Sequence, residues 1–95
     1  MDIAAELTHQ GIIAHLHGNL TLAANLFQRA TEVDPHYELA WLWRSSVAAT
    51  DDERRSYLQQ ALIANPQSES ALRGLVILGP ADRIELGGVK RPREE

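Results

Sequence analysis

The first indication of the fold comes from residues 4–37, which read AAELTHQGIIAHLHGNLTLAANLFQRATEVDPHY. Apolar residues recur in this stretch at steps of three and four, the period of an amphipathic helix. Gly18-Asn19 is typical of a helix end followed by a turn. Asp34-Pro35 closes the second apolar run, because a proline disfavours helical backbone in the residue before it. The stretch therefore predicts two helices joined by a short turn.

Three further helices are predicted after this pair. The third is expected from about Tyr37 to Ala49, the fourth from Thr50 to Asn65-Pro66, and the fifth from Ser68 to Leu78, where Gly79-Pro80 closes it. Thr50 and Glu53 have the spacing of a capping box, in which each side chain binds a free amide at a helix start. No segment alternates apolar and polar residues as a strand does. The predicted fold class is all-α.

Length and composition limit the kind of function. The chain has 95 residues, which is enough for one small domain. Its net charge of −4 speaks against nucleic acid as a partner. No apolar run approaches the ~20 residues of a membrane span, and Asp2 and Glu6 stand where a secretory signal carries Lys or Arg. The absence of cysteine fits a reducing compartment. We therefore expect a soluble cytoplasmic protein that binds neither nucleic acid nor membrane.

The chain also repeats itself along its length. Leu7, Gly11 and Ala14 recur 34 residues later as Trp41, Ser45 and Ala48, and Phe27, Ala30 and Pro35 recur 31 residues later as Leu58, Ala61 and Pro66. A third copy begins at the second spacing, since Glu69-Ser70-Ala71-Leu72 follows the pattern of Glu38-Leu39-Ala40-Trp41, and it stops after one helix. The three-residue difference falls between Ala48 and Arg54, in the turn within the second helix pair.

With these residues in register, the chain resembles the tetratricopeptide repeat family. The matching positions in the first unit are Leu7, Gly11, Ala14, Ala23, Phe27, Ala30 and Pro35. Small residues at four of these positions let two helices approach closely, and Phe27 is expected to fill the space between them. Arg54 departs from the pattern, because it stands where the first unit has Ala23.

The resemblance implies antiparallel helix hairpins stacked as a right-handed superhelix over residues 1–79. Its units are about residues 4–37 and 38–68, followed by a half unit at 69–79 whose helix caps the array. Residues 80–95 are expected to form a flexible tail.

The residue types that carry chemistry do not form a catalytic or metal-binding pattern. The four histidines are His9, His15, His17 and His36, and none of them pairs with another at the i and i+4 spacing of helical zinc ligands. The sequence has no cysteine nucleophile and no glycine-rich phosphate loop. The acidic run Asp51-Asp52-Glu53 is explained by its place at a helix start. We therefore expect no enzyme activity, no metal and no cofactor.

A partner-binding face follows from the family resemblance. In that family the first helix of each unit lines a concave groove that takes an extended peptide or a helix. Carried over position by position, the partner-binding residues are Thr8, Ile12, His15, Leu39, Leu42, Ser46, Arg73 and Ile77. Some members hold a chaperone's terminal carboxylate with a Lys/Asn/Arg clamp, and the matching positions here are Thr8, Ile12, Trp43, Ser70 and Gly74. The clamp is absent, so we do not expect chaperone-tail binding.

These features predict a non-catalytic interaction or scaffold module that binds a protein partner through an apolar concave face. The alternative is a self-associating structural module, a homodimer whose exposed apolar face is covered by a second copy or by the tail. Within the tail, residues 81–89 contain the anchors Ile84, Leu86 and Val89. Trp43 is expected either to pack between neighbouring units or to face a partner.

Overall fold

A computed structural model of the protein describes residues 2–79, and the expected flexible tail at residues 80–95 lies outside them. Five α-helices follow one another in this part of the chain: α1 Ile3–Leu16, α2 Leu20–Val33, α3 Glu38–Ser46, α4 Asp51–Ala64 and α5 Glu69–Leu78. Residues 2–79 contain no strand, so the prediction of an all-α fold is confirmed. None of the five helices has both the length and the apolar character that crossing a bilayer requires.

Four of the five helices begin with a side chain that caps a free backbone amide. The capping residues are Asp2 for α1, Asn19 for α2, Thr50 for α4 and Ser68 for α5. One half of the predicted capping box is present at α4, where the Glu53 amide donates to Thr50 Oγ1 over 3.1 Å. The Glu53 carboxylate in turn accepts from the Ala49 amide, one residue before the cap. The starts of these four helices are therefore stabilised by local contacts, whereas α3 begins after Tyr37 without a side-chain cap.

The predicted ends of α1, α2, α4 and α5 agree with the structure, whereas α3 ends three residues earlier than expected. Beyond Ser46, a continuing helix would have the Ala49 amide donate to the Ser45 carbonyl. That amide donates instead to Glu53 Oε1, and the Ser45 carbonyl accepts from Arg54 Nε over 3.1 Å. The expected end at Ala49 was therefore wrong, because two side chains of α4 bind the groups that would have extended α3.

The first part of the core surrounds Phe27. The buried apolar residues of this cluster are Leu7, Ala14, Ala23, Leu26, Phe27, Ala30 and Ala40. Phe27 is fully buried, as the sequence predicted. A Cβ atom at Gly11 would lie 2.5 Å from Phe27 Cε1, closer than packed carbon atoms come. The absence of a side chain at Gly11 is therefore what lets α1 lie against the ring.

The second part of the core lies between α3, α4 and α5. Its buried residues are Leu58, Ala61 and Ala71, with Trp41, Leu42, Leu62, Leu75 and Leu78 packed around them. Each helix contacts the next one along the chain, and α1 also contacts α3. Helix α3 contributes Ala40 to the first cluster, and Trp41 and Leu42 pack against the second. It therefore connects the two halves of the core.

Candidate interaction groove

An open depression of about 320 Å³ lies between α3 and α5. Its lining residues are Leu39, Leu42, Trp43 and Ser46 of α3 and Ser70 of α5, and we call this depression the α3 groove. Three of the predicted partner-binding residues, Leu39, Leu42 and Ser46, lie in it. No side chain of the lining carries a charge, so the lining offers apolar surface, two serine hydroxyls and the Trp43 indole N–H.

The helical period explains why these α3 residues share one face. Positions 39, 42, 43 and 46 are spaced by three and four residues, so they lie along one side of the helix. The other side is buried, since Ala40 has no exposed surface and Ser45 is 6 % exposed. α3 therefore packs against the core with one face and presents the apolar α3 groove with the other.

Trp43 forms part of the groove, and the rings of two other residues pack against its indole. Its ring stacks on Phe27 with the centroids 5.9 Å apart and the planes inclined by 26°. His15 meets the same indole edge-on, at 5.6 Å and 70°. Such arrangements suit the charge distribution of aromatic rings. Of the two predicted roles for Trp43, packing between the helix pairs is the one observed, while part of the ring still faces the groove.

The other groove residues differ in how far they reach solvent. Leu39 is 41 % exposed, whereas Leu42 is half-buried against the second core cluster. The Ser46 hydroxyl donates to the Trp43 carbonyl over 2.7 Å, so its proton is already used within α3. Leu39 is the most accessible apolar side chain of the α3 groove, since Leu42 and Trp43 are half-buried.

The five remaining predicted residues lie outside the α3 groove. Thr8 is 1 % exposed, and its hydroxyl donates to the Ala4 carbonyl over 2.8 Å. It offers no surface to a partner, so we leave it out of the site. Ile12 and His15 are half-buried, the latter against Trp43. Arg73 and Ile77 are exposed on α5, three and seven residues after Ser70, and thus continue the same helix face beyond the groove.

Two arginines have structural roles that the sequence did not predict. The Arg44 guanidinium lies 4.3 Å from the Tyr57 ring centroid and 5.5 Å from that of Trp41. Its Nη1 donates to Thr31 Oγ1 over 3.0 Å, which ties α3 to α2. Arg55 is 8 % exposed, and its Nη2 donates to the Gly79 carbonyl over 3.3 Å at the end of α5. The i and i+3 spacing of Trp41 and Arg44 was the signal in the sequence for the contact between these two side chains.

The ionisable side chains of the described residues lie apart from one another or pair along one helix. Across residues 2–79, no three His, Asp or Glu side chains lie close enough together to hold a metal ion. The ion pairs in this part of the chain join neighbours on one helix, Asp51 with Arg54, Asp52 with Arg55 and Glu69 with Arg73. The carboxylates of these pairs are strongly exposed, so the pairs add little stability.

Comparisons with known proteins do not assign the chain to a family. No protein-family model matches it, and no curated protein matches it significantly. The resemblance to tetratricopeptide repeats therefore remains an interpretation of its own residues.

Proposed function

We propose that this protein is a non-catalytic interaction module that binds a helix or an extended peptide of another protein through the α3 groove. The observation that carries the proposal is the apolar lining of that groove, with Leu39 41 % exposed beside the half-buried Leu42 and Trp43. Exposed apolar surface is unfavourable in water by about 25 cal/mol per Å². A depression lined in this way is typical of sites for apolar side chains of a partner.

The proposed architecture is a short right-handed array of tetratricopeptide type, as the sequence repeat predicts. Three pairs of equivalent positions in the repeat are equally buried, which supports this proposal. The equivalent pairs are Phe27 and Leu58 at 0 % and 4 % exposure, Ala30 and Ala61 both at 0 %, and Ala40 and Ala71 both at 0 %. In such an array the α3 groove lies on the concave side. For the location of the protein we propose the cytoplasm, which the composition favours.

The proposal predicts that a charge in the groove weakens partner binding. A displayed library of random peptides selected on the wild-type protein should yield binders rich in apolar residues. Their affinity should fall about tenfold or more on Leu39→Asp, because the carboxylate would have to be desolvated in the complex. Binding can be measured by fluorescence polarisation of the selected peptides.

The matched control is Ile63→Asp, which makes the same change at a 67 % exposed position of α4 outside the groove. This variant should bind the peptides as the wild type does. A library without enriched binders, or binders that tolerate Leu39→Asp, would contradict the proposal. Leu42→Asp is the weaker test, because Leu42 also packs against the second core cluster and its loss affects folding.

A further inference from the structure

A second depression, of about 180 Å³, lies between α2, the end of α3 and the start of α4, and we call it the junction pocket. Residues 47–49 of the shortened turn form one wall of it, since α3 ends at Ser46 and α4 begins at Asp51. The side chains that line the rest are Ala24, Gln28, Arg44, Glu53 and Tyr57. None of its lining residues belongs to the α3 groove, so the two depressions are separate.

The guanidinium of Arg44 is held in the junction pocket by two contacts within the protein. It lies 4.3 Å from the centre of the half-buried Tyr57 ring, and its Nη1 donates to Thr31 Oγ1 over 3.0 Å. Among residues 2–79, no carboxylate pairs with Arg44, and its Nε and Nη2 donate to no protein acceptor. A half-buried guanidinium with donors to spare suits a ligand carboxylate, whose two oxygens match its planar edge.

Glu53 brings a negative charge to the same pocket. Its Oε1 accepts from the Ala49 amide over 3.1 Å, whereas Oε2 accepts from no donor in residues 2–79. Glu53 and Arg44 both line the pocket, yet these two described side chains form no ion pair with each other. A ligand with negative charge alone would be attracted by Arg44 and repelled by Glu53. A ligand with one charge of each sign satisfies both side chains.

We propose that the junction pocket binds a small free α-amino acid, with the ligand carboxylate on Arg44 and the ligand ammonium on Glu53 Oε2. The volume of 180 Å³ corresponds to about six water molecules of ~30 Å³ each, which is the size of alanine or serine. The methyl groups of Ala24 and Ala49 leave room for such a short side chain. This site does not use the α3 groove, so it is independent of the proposed partner binding.

Nuclear magnetic resonance can compare ligands that carry both charges or only one. Titration of the ¹⁵N-labelled protein with L-alanine should give saturable shifts of the Ala49 and Glu53 amide signals and of the Arg44 Nε–H signal. Propionate is alanine without the ammonium group, and ethylammonium is alanine without the carboxylate. Each should bind about tenfold more weakly or worse, because it loses one charge-assisted hydrogen bond. Propionate that binds as tightly as alanine would show a plain anion site and overturn the proposal, as would the absence of saturable shifts with alanine.

Glu53→Gln removes the charge and keeps an oxygen that can accept from the Ala49 amide, so the helix start should persist. Its affinity for alanine should fall about tenfold, with circular dichroism confirming the fold. The matched control is Glu6→Gln, the same change at an exposed position of α1 outside the pocket, which should bind alanine as the wild type does. Leu39→Asp should also leave alanine binding unchanged, which separates this site from the α3 groove. A folded Glu53→Gln variant with wild-type affinity for alanine would overturn the proposal.

Discussion

Gly11 shows how one missing side chain sets the distance between two helices. The ring of Phe27 fills the space that a side chain on α1 would occupy, and it also stacks on Trp43. The ring is fully buried, and protein interiors are closely packed, so moving it would displace its neighbours. Gly74 has a related role on α5, where a Cβ would lie 2.9 Å from Leu58 Cδ1. That atom is the end of a flexible side chain, so it can move aside more easily.

The two glycines should therefore differ in their tolerance of alanine. Gly11→Ala gains about 1 kcal/mol of helix propensity, but it forces the buried Phe27 ring out of place at a cost near the upper end of ~1–3 kcal/mol. We expect a net loss of about 1–2 kcal/mol in the free energy of unfolding, measured by urea denaturation. Gly74→Ala should lower the free energy of unfolding less than Gly11→Ala does, or leave it almost unchanged. Equal effects at both positions would contradict the packing of Phe27 against α1.

Truncation of Phe27 is expected to be more severe. Phe27→Ala would leave a cavity in the first core cluster and should lower the free energy of unfolding by roughly 3–5 kcal/mol. That amount is comparable to the whole stability of a domain of this size. Thermal unfolding followed by circular dichroism would measure the loss. A small shift in the melting temperature would contradict the full burial of the ring.

At the scale of the helices, the junction between α3 and α4 depends on side chains that bind backbone groups. Thr50 and Glu53 bind the amides of Glu53 and Ala49, and Arg54 binds the Ser45 carbonyl. Arg54 replaces the small Ala23 of the first unit, yet α3 and α4 still pack together. Its side chain lies at the shortened turn, where Nη1 also pairs with Asp51 at 3.1 Å. The substitution therefore fixes the turn instead of separating the helices.

Loss of the capping box should destabilise the domain modestly. Thr50→Ala leaves the Glu53 amide without its side-chain acceptor and should cost about 1 kcal/mol in the free energy of unfolding. Glu53→Ala should cost a similar amount, since the Ala49 amide loses its partner. Glu32→Ala, an exposed change on α2, should stay within about 0.5 kcal/mol of the wild type in chemical denaturation. If the capping variants are as stable as this control, the hydrogen bonds of Thr50 and Glu53 at the start of α4 do not stabilise the domain.

At the scale of the molecule, α3 is the element that makes two core clusters one structure. Its residues are divided between the clusters: Ala40 and Trp43 pack in the first, and Trp41 and Leu42 pack in the second. Arg44 adds a further link, because it contacts Thr31 of α2 and Tyr57 of α4. Unfolding one cluster would therefore remove support from the other. The same helix presents the α3 groove, so the proposed binding surface depends on both halves of the core.

This arrangement predicts a single cooperative unfolding transition. The variant Trp43→Phe leaves Trp41 to report on the second cluster, and Trp41→Phe leaves Trp43 to report on the first. Within each variant, the urea midpoint from tryptophan fluorescence should coincide with the midpoint from circular dichroism. A fluorescence midpoint that differs from the circular-dichroism midpoint would show that the two clusters unfold independently.

The sequence predicted the five helices and the all-α fold class, together with three of the five residues that line the groove. Leu39, Leu42 and Ser46 were expected from the family resemblance, and the helical period explains why they share one face of α3. Thr8 was expected on the same surface, but it is buried. A polar residue on a helix carries no sign of burial when its hydroxyl is satisfied within its own helix, as that of Thr8 is by Ala4. Exposure at this position therefore could not be derived from sequence.

Signals within a few residues were sufficient for the number of helices, their starts and most of their ends. Capping residues, glycines and prolines act over three or four positions, so they are visible in the sequence. The end of α3, the packing of Trp43 and the role of Arg55 required the folded chain. Arg54 binds a carbonyl nine residues away, and Arg55 binds one 24 residues away. Such contacts exist only after packing has brought distant segments together, and periodicity contains no information about them.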